Sequence, residues 1–258
     1  MNWQSLISAS KPDLTRLPAG WEPKIVPDLN DAVMPVLQSN SSASVIDNLL
    51  SPAECNTLIQ LMQSAPHVAP VNYQGNPKQH SEQLGSVRVN LWSPELADSI
   101  WKKISPYIEP VCADENTLTD WWQGDKSRKN WQPVAISPLL RFMRYEKQGK
   151  HLPHYDAGFI YPDDNVRGLM SLIIYLTSHE QGGETRMIDD CQQGCIWDRN
   201  HDDWDREAIN SEVVFSCKPK VGRALLFLHR ECHDVAEYKG DNPRVIIRTD
   251  ILFASVKS

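Results

Sequence analysis

The sequence predicts an α+β protein whose second half is a β-sandwich or barrel. Two observations carry this reading. Helix-start signatures fall before residue 105, and beyond residue 136 short β-branched, aromatic and aliphatic runs succeed one another, punctuated by Gly, Pro and Asp. A third bounds it: 258 residues with 41% hydrophobic and 23% charged content describe an ordinary globular chain with one sizeable core. We divide it into an extended arm over 1–42, a helical support region of the same domain over 43–135 and a β-rich core over 136–258.

The arm carries prolines at 12, 18, 23, 27 and 35 and is read as extended chain laid on the surface, pinned by Trp3 and Trp21. Ser44 to Leu50 is apolar and leads into Ser51-Pro52-Ala53-Glu54, where a serine cap, a first-turn proline and a glutamate three residues on announce a helix reaching about Ser64. Ser93-Pro94 repeats the signal, and Leu96, Ile100, Trp101 and Ile104 fall on one helical face. Between the helices, Ser86 to Trp92 alternates like a strand. Further strands are expected over Leu140 to Tyr145, Gly168 to Thr177, Val213 to Cys217, Ala224 to Leu228 and Val245 to Phe253. The irregular stretch 188–212 is read as a long loop at the mouth of the β-core.

Composition also narrows the function. A net charge of -7 and a pI near 5.6 work against phosphate-backbone binding, so no nucleic-acid partner is expected. The first ten residues lack a basic flank followed by an apolar stretch, and no apolar run approaches membrane-spanning length, so the chain reads as soluble, unexported and cytoplasmic. Six scattered cysteines fit reduced thiols rather than a disulfide scaffold. Cys191 and Cys195 form C-x3-C, but no second pair with metal-ligand spacing follows.

The chemistry-bearing stretch is Tyr145 to Asp156, together with the distant His233. His154 and Asp156 can offer an imidazole nitrogen and a carboxylate oxygen to one metal, and a second histidine completes a three-point face. Two histidines and one carboxylate on one side of an octahedron are the ligand set of non-haem Fe(II) oxygenases, because the remaining positions stay open. A lone H-x-D is weak, and the chain has a second at His201-Asp202-Asp203. His154-Tyr155-Asp156 lies between two expected strands, which can hold ligands rigidly; the other lies in the charged loop. Asp198, Asn200 and Asp202 mimic the start of a calcium loop, but the turn glycine and terminal glutamate are missing. His233 follows one strand and Arg244 opens the next, so a ligand and a guanidinium can face one cavity. Arg248, four residues on, shares that face and is read as a strand charge paired with Asp250 or Glu237.

In order along the chain, Tyr145 and Gly149, His154 and Asp156, Ser171 to Leu176, Gly182 to Thr185, Gly222 to Phe227, His233 and Arg244 resemble the prolyl-4-hydroxylase-like branch of the Fe(II)/2-oxoglutarate-dependent dioxygenases. The resemblance covers about 136–254. It implies a double-stranded β-helix, a jelly-roll or cupin-like barrel with supporting N-terminal helices, and iron held by His154, Asp156 and His233. It further implies 2-oxoglutarate held at its far carboxylate by Arg244, with Tyr145 and Ser171 as hydrogen-bonding helpers, O2 as co-substrate and ascorbate as a reductant. Gly182 and Gly183 read as turn residues without chemistry. The long 188–212 stretch and the Asp-Val-Ala after His233 depart from the family pattern and leave substrate choice open. Three functions follow: a hydroxylase of a small molecule such as an amino acid or related metabolite, a peptidyl (prolyl) hydroxylase, or a non-catalytic metal- and 2-oxoglutarate-binding barrel. An intact ligand triad with a co-substrate arginine argues against the third.

Overall fold

The computed structural model describes residues 10–39, 43–70, 86–113, 129–156, 166–190, 204 and 206–256. The arm is extended, and it joins the sheet as well as lying on it. It supplies β1 (Gly20–Trp21) and β2 (Val36–Ser39), and Trp21 packs against the core. Trp3 lies outside the described residues. After β3 (Ser44–Asp47), α1 (Pro52–Gln63) begins where the sequence places it. The Ser51 side chain accepts from the Glu54 backbone N–H, and the Glu54 carboxylate accepts from that of Ser51. β4 (Ala69–Pro70) and β5 (Ser86–Trp92) precede α2 (Pro94–Ile104), capped by Ser93 and burying Leu96, Ala97, Ile100 and Ile104. The four stack on one side because they recur at helical spacing.

β6 (Val111–Ala113) and β7 (Lys129–Ile136) complete the region expected to be helical support, which therefore holds strands as well as helices. Then follow β8 (Leu139–Tyr145), β9 (His151–His154), β10 (Val166–Tyr175), β11 (Thr185–Ile188), β12 (Val213–Cys217), β13 (Ala224–Leu228), β14 (His233–Val235) and β15 (Arg244–Val256).

One sheet runs β1-β5-β8-β15-β10-β13-β3-β2, with β4 on β5, and with β7 on β15 carrying β6; the other runs β12-β11-β14-β9. Within them, β8-β15-β10-β13 and β12-β11-β14-β9 are two antiparallel four-stranded layers whose strands alternate between layers along the chain, except that β11 and β12 are consecutive in one layer. That crossing pattern is a double-stranded β-helix with helices behind one layer, as the sequence predicts.

Side-chain alternation decides what each face does. Phe142, Leu172 and Ile247 point to the helix side and share a core with Leu58 and Ile100, whereas Met143, Ile173 and Ile246 point between the layers and pack with Tyr145, Tyr175 and Phe227. The central strands are apolar on both faces, so they read as continuous runs and not as alternating ones. The polar side chains that interrupt the inner face, Ser171, Arg244, Arg248 and Asp250, therefore stand out. Among the described residues no helix is long and apolar enough to cross a membrane.

Candidate active site

β9 and β14 are antiparallel neighbours, and their register sets His233 directly opposite His154. The two rings lie 4.3 Å apart between centroids. Asp156, two residues past the end of β9, turns its carboxylate to the same point: ligand atoms of His154, Asp156 and His233 all fall within 4.8 Å of one another. Two side chains separated by 79 positions in the sequence thus become cross-strand partners.

Each imidazole is oriented by a backbone carbonyl. His154 Nδ1 lies 2.7 Å from the Leu152 oxygen and His233 Nδ1 lies 3.0 Å from the Glu231 oxygen. A carbonyl only accepts, so Nδ1 carries the proton and Nε2 presents its lone pair. His151 stacks on His154 with centroids 3.8 Å apart, and Phe227 meets His233 at 4.5 Å. Burial lowers the pKa of His233, opposed by the Asp156 charge, and burial with the two neighbouring imidazoles lowers that of His151 well below the usual histidine range. Neutral rings are what a divalent cation requires.

Asp156 accepts from Ser171 Oγ at 2.5 Å and from Arg248 Nε at 3.2 Å, while Arg248 Nη2 lies 3.0 Å from its other oxygen. Burial would raise its pKa; the Arg248 guanidinium and the imidazoles outweigh that and hold it well below the usual carboxylate range. The donor set fits Fe(II): two neutral nitrogens on strands and one ionised oxygen just past a strand end, each held from behind.

Arg244 occupies the other end of the same inner face. It sits opposite Tyr145 on β8, is wholly buried, and holds its Cζ 4.7 Å from the Tyr145 ring and 5.5 Å from that of Tyr175. Nη2 donates to Thr185 Oγ1 at 3.3 Å, and Thr185 in turn accepts from the Tyr175 hydroxyl at 2.8 Å. Nε and Nη1 have no hydrogen-bond partner among the described residues. A buried guanidinium with two idle donors is costly unless an anion completes it, and its planar fork matches a carboxylate. Burial raises the Tyr145 phenol, which the Arg244 charge opposes, so Tyr145 is a neutral wall and hydrogen-bond donor beside that cation.

The structure brings His154, Asp156 and His233 to one point and sets Arg244 with Tyr145 at the far end of the face. Ser171, expected beside the co-substrate, donates to Asp156. Arg248 pairs with Asp250, as expected, and also with Asp156, which was not foreseen. Gly183, read only as a turn residue, makes room for the guanidinium: its φ is +74° and a Cβ there would come within 2.9 Å of Arg244 Cδ. Thr185 and His151 were missed. The period-2 alternation could have placed Thr185 on an inner face only had β11, four residues long, been recognised as a strand. Cys191, Cys195, Asp198, Asn200, His201, Asp202 and Asp203 lie outside the described residues.

Residues 140–249 match the model of the 2OG-Fe(II) oxygenase superfamily. No curated protein matches the chain. Among solved structures it is similar to a viral collagen prolyl hydroxylase from Paramecium Bursaria Chlorella virus-1, at 18% identity and a TM-score of 0.46, over 84% of this chain and 97% of that one. It is likewise similar to a Pseudomonas putida prolyl-4-hydroxylase, at 15% identity and a TM-score of 0.46, over 84% and 94%. A third is HygX from Streptomyces hygroscopicus, at 9% identity and a TM-score of 0.47, over 83% and 82%. The segment that matches contains the three clustered side chains and the buried arginine, which marks the protein as a 2-oxoglutarate-dependent dioxygenase.

Proposed function

We propose that this enzyme hydroxylates an unactivated C–H bond of a small molecule such as an amino acid or related metabolite, in the cytoplasm. One observation carries the site assignment: a three-ligand cluster and a buried guanidinium with two idle donors share the inner face of one barrel. His154, Asp156 and His233 would hold Fe(II) through two imidazole nitrogens and one carboxylate oxygen. Arg244 fixes the far carboxylate of 2-oxoglutarate, with Tyr145 flanking it, and Ser171 steadies Asp156 beside the near end. Bound iron and 2-oxoglutarate would supply oxidative decarboxylation with O2, giving succinate, carbon dioxide and the hydroxylated product, and ascorbate would serve outside that turnover, to return oxidised iron to Fe(II). The apolar walls Met143, Ile173 and Phe227 exclude water around these groups. Because Asp156 occupies its ligand position, hydroxylation is favoured over halogenation.

The test is anaerobic titration with Fe(II) and 2-oxoglutarate, followed by aerobic screens of metabolites and peptides for coupled succinate release. Metabolite-dependent succinate is expected, and Asp156→Ala abolishes it. Undiminished turnover in a metal-replete Asp156→Ala protein would reject the metal assignment. Turnover with peptides alone would move the reading to a peptidyl hydroxylase.

A further inference from the structure

Beyond the metal cluster, away from Arg244, the inner face turns from apolar to charged. Arg141 on β8 lies opposite Arg248 on β15, and Asp250 lies one inward-facing position further along β15. Arg141 Nη1 donates to one Asp250 oxygen at 3.3 Å, whereas Arg248 Nη2 and His229 Nε2 approach the other at 3.2 Å each without a hydrogen bond to it. Both guanidinium contacts are loose for charge-assisted pairs, which close to about 2.7–2.9 Å when one donor has a carboxylate to itself. Arg88 on β5, opposite Met143 and diagonal to Arg141, adds another guanidinium, and its buried Nε has no hydrogen-bond partner among the described residues.

Among the described residues the charges do not balance. Arg88, Arg141 and Arg248 face one committed carboxylate, Asp250, and a second, Asp156, that is given over to the metal. Arg141 makes little use of its donors. Its contact with Asp250 is its one hydrogen bond among the described residues, and its side chain is 25% exposed, so its remaining donors can be approached. Guanidiniums gathered on a largely buried wall cost free energy that an incoming anion recovers, and the planar fork selects a carboxylate among anions of that size.

From this charge arrangement we infer that the substrate carries a carboxylate that docks on Arg141, with Arg88 contributing charge, at the end of the barrel opposite the 2-oxoglutarate arginine. The site then grips two carboxylates, one at Arg244 and one at Arg141, with the metal between them. This deepens the small-molecule reading above and rests on it. It narrows the substrate to small acids, with the hydroxylated carbon lying between the carboxylate and the metal.

Equilibrium dialysis under argon tests it, using the full chain loaded with Fe(II) and saturating 2-oxoglutarate. The probes are free amino acids and 2-hydroxy acids, each paired with its primary carboxamide. Some acids should be retained and their carboxamides not. Arg141→Gln should weaken the retained acids about a hundredfold and Arg88→Gln about tenfold, since a hydrogen bond to a charged group contributes roughly 1.5–3 kcal/mol. Both variants should still bind 2-oxoglutarate, which reports an intact barrel. If Arg141→Gln loses that too, Arg141→Lys decides: it keeps the charge without the fork and should weaken the acids about tenfold. Retention of no acid at millimolar concentration, equal retention of carboxamides, or unchanged acid affinity in the deciding Arg141 variant overturns the inference. Failure of the wild-type protein to bind 2-oxoglutarate overturns instead the functional reading beneath it.

Discussion

At the scale of single residues, Arg244 is the most exposed to test because its charge is buried and under-paired. Replacing it with methionine removes that charge and keeps much of the volume, so Arg244→Met should melt higher than the wild type without ligands, by about 1 kcal/mol or more. The same variant should lose 2-oxoglutarate affinity by at least about a hundredfold. Thermal unfolding and 2-oxoglutarate titration check the two halves; a lower melting point would mean that the guanidinium is better satisfied than its geometry indicates. Ser171 acts through Asp156, to which it donates at 2.5 Å. Ser171→Ala should therefore weaken metal binding about tenfold to a hundredfold, read by competition with a chelator, with little change in 2-oxoglutarate affinity once metal is saturating. The metal candidates were legible as residue types, since His154-Tyr155-Asp156 lies between expected strands and a later histidine and arginine follow in the order of the family pattern. The Arg248 contact with Asp156 was not, because it joins positions 92 residues apart.

At the scale of elements, the N-terminal cap of α1 joins more than its own helix. Glu54 completes the capping box, accepts from the Asp31 backbone N–H at 3.0 Å, and meets Lys103 Nζ of α2 at 3.0 Å with both side chains largely buried. Ser51→Ala should cost about 1 kcal/mol, the loss of one cap. Glu54→Ala should cost about 3 kcal/mol, because Lys103 keeps its charge and loses its carboxylate. Urea unfolding of the two variants measures the difference; equal costs would show that the tie between helices contributes nothing. The turn before β13 is equally constrained. Gly222 has φ +75° and a Cβ there would lie 2.1 Å from the Leu50 oxygen, so its backbone, which accepts from Leu49 N at 2.8 Å, is pressed against the residues that enter α1. Both helices were readable because their caps are local chemistry. β9, β11 and β14, of four, four and three residues, are shorter than any periodicity can register.

At the scale of the whole molecule, ligands and protons act on stability together. Saturating Fe(II) and 2-oxoglutarate should raise the melting point of the wild type, by roughly 2.7 kcal/mol at a hundred times the dissociation constant, and Arg244→Met should lose most of the 2-oxoglutarate part. In acid the ion pairs between strands give way. Asp47 on β3 is held below its ordinary value of 3.8, chiefly by the Arg223 hydrogen bond from β13 at 2.7 Å. A carboxylate whose folded pKa is depressed stabilises the fold above its unfolded pKa and loses that contribution as pH falls through the folded one. Stability should therefore decline below about pH 4, and Arg223→Ala should flatten that decline. Denaturant midpoints of both proteins across pH 5 to 3 check this; an identical slope would remove Asp47 from the account.

The sequence by itself determined the helix starts, the β-rich second half and the residue types able to bind metal, because caps, runs of apolar residues and ligand chemistry are properties of neighbours in the chain; the barrel class came from the family resemblance. Tertiary structure alone decided which inner-face positions meet. Register set His154 against His233 and Arg141 against Arg248, and packing left Arg244 buried with donors to spare. The physical reason is that strand pairing is fixed by contacts across the whole sheet. A shift of one residue would turn every one of these side chains to the opposite face.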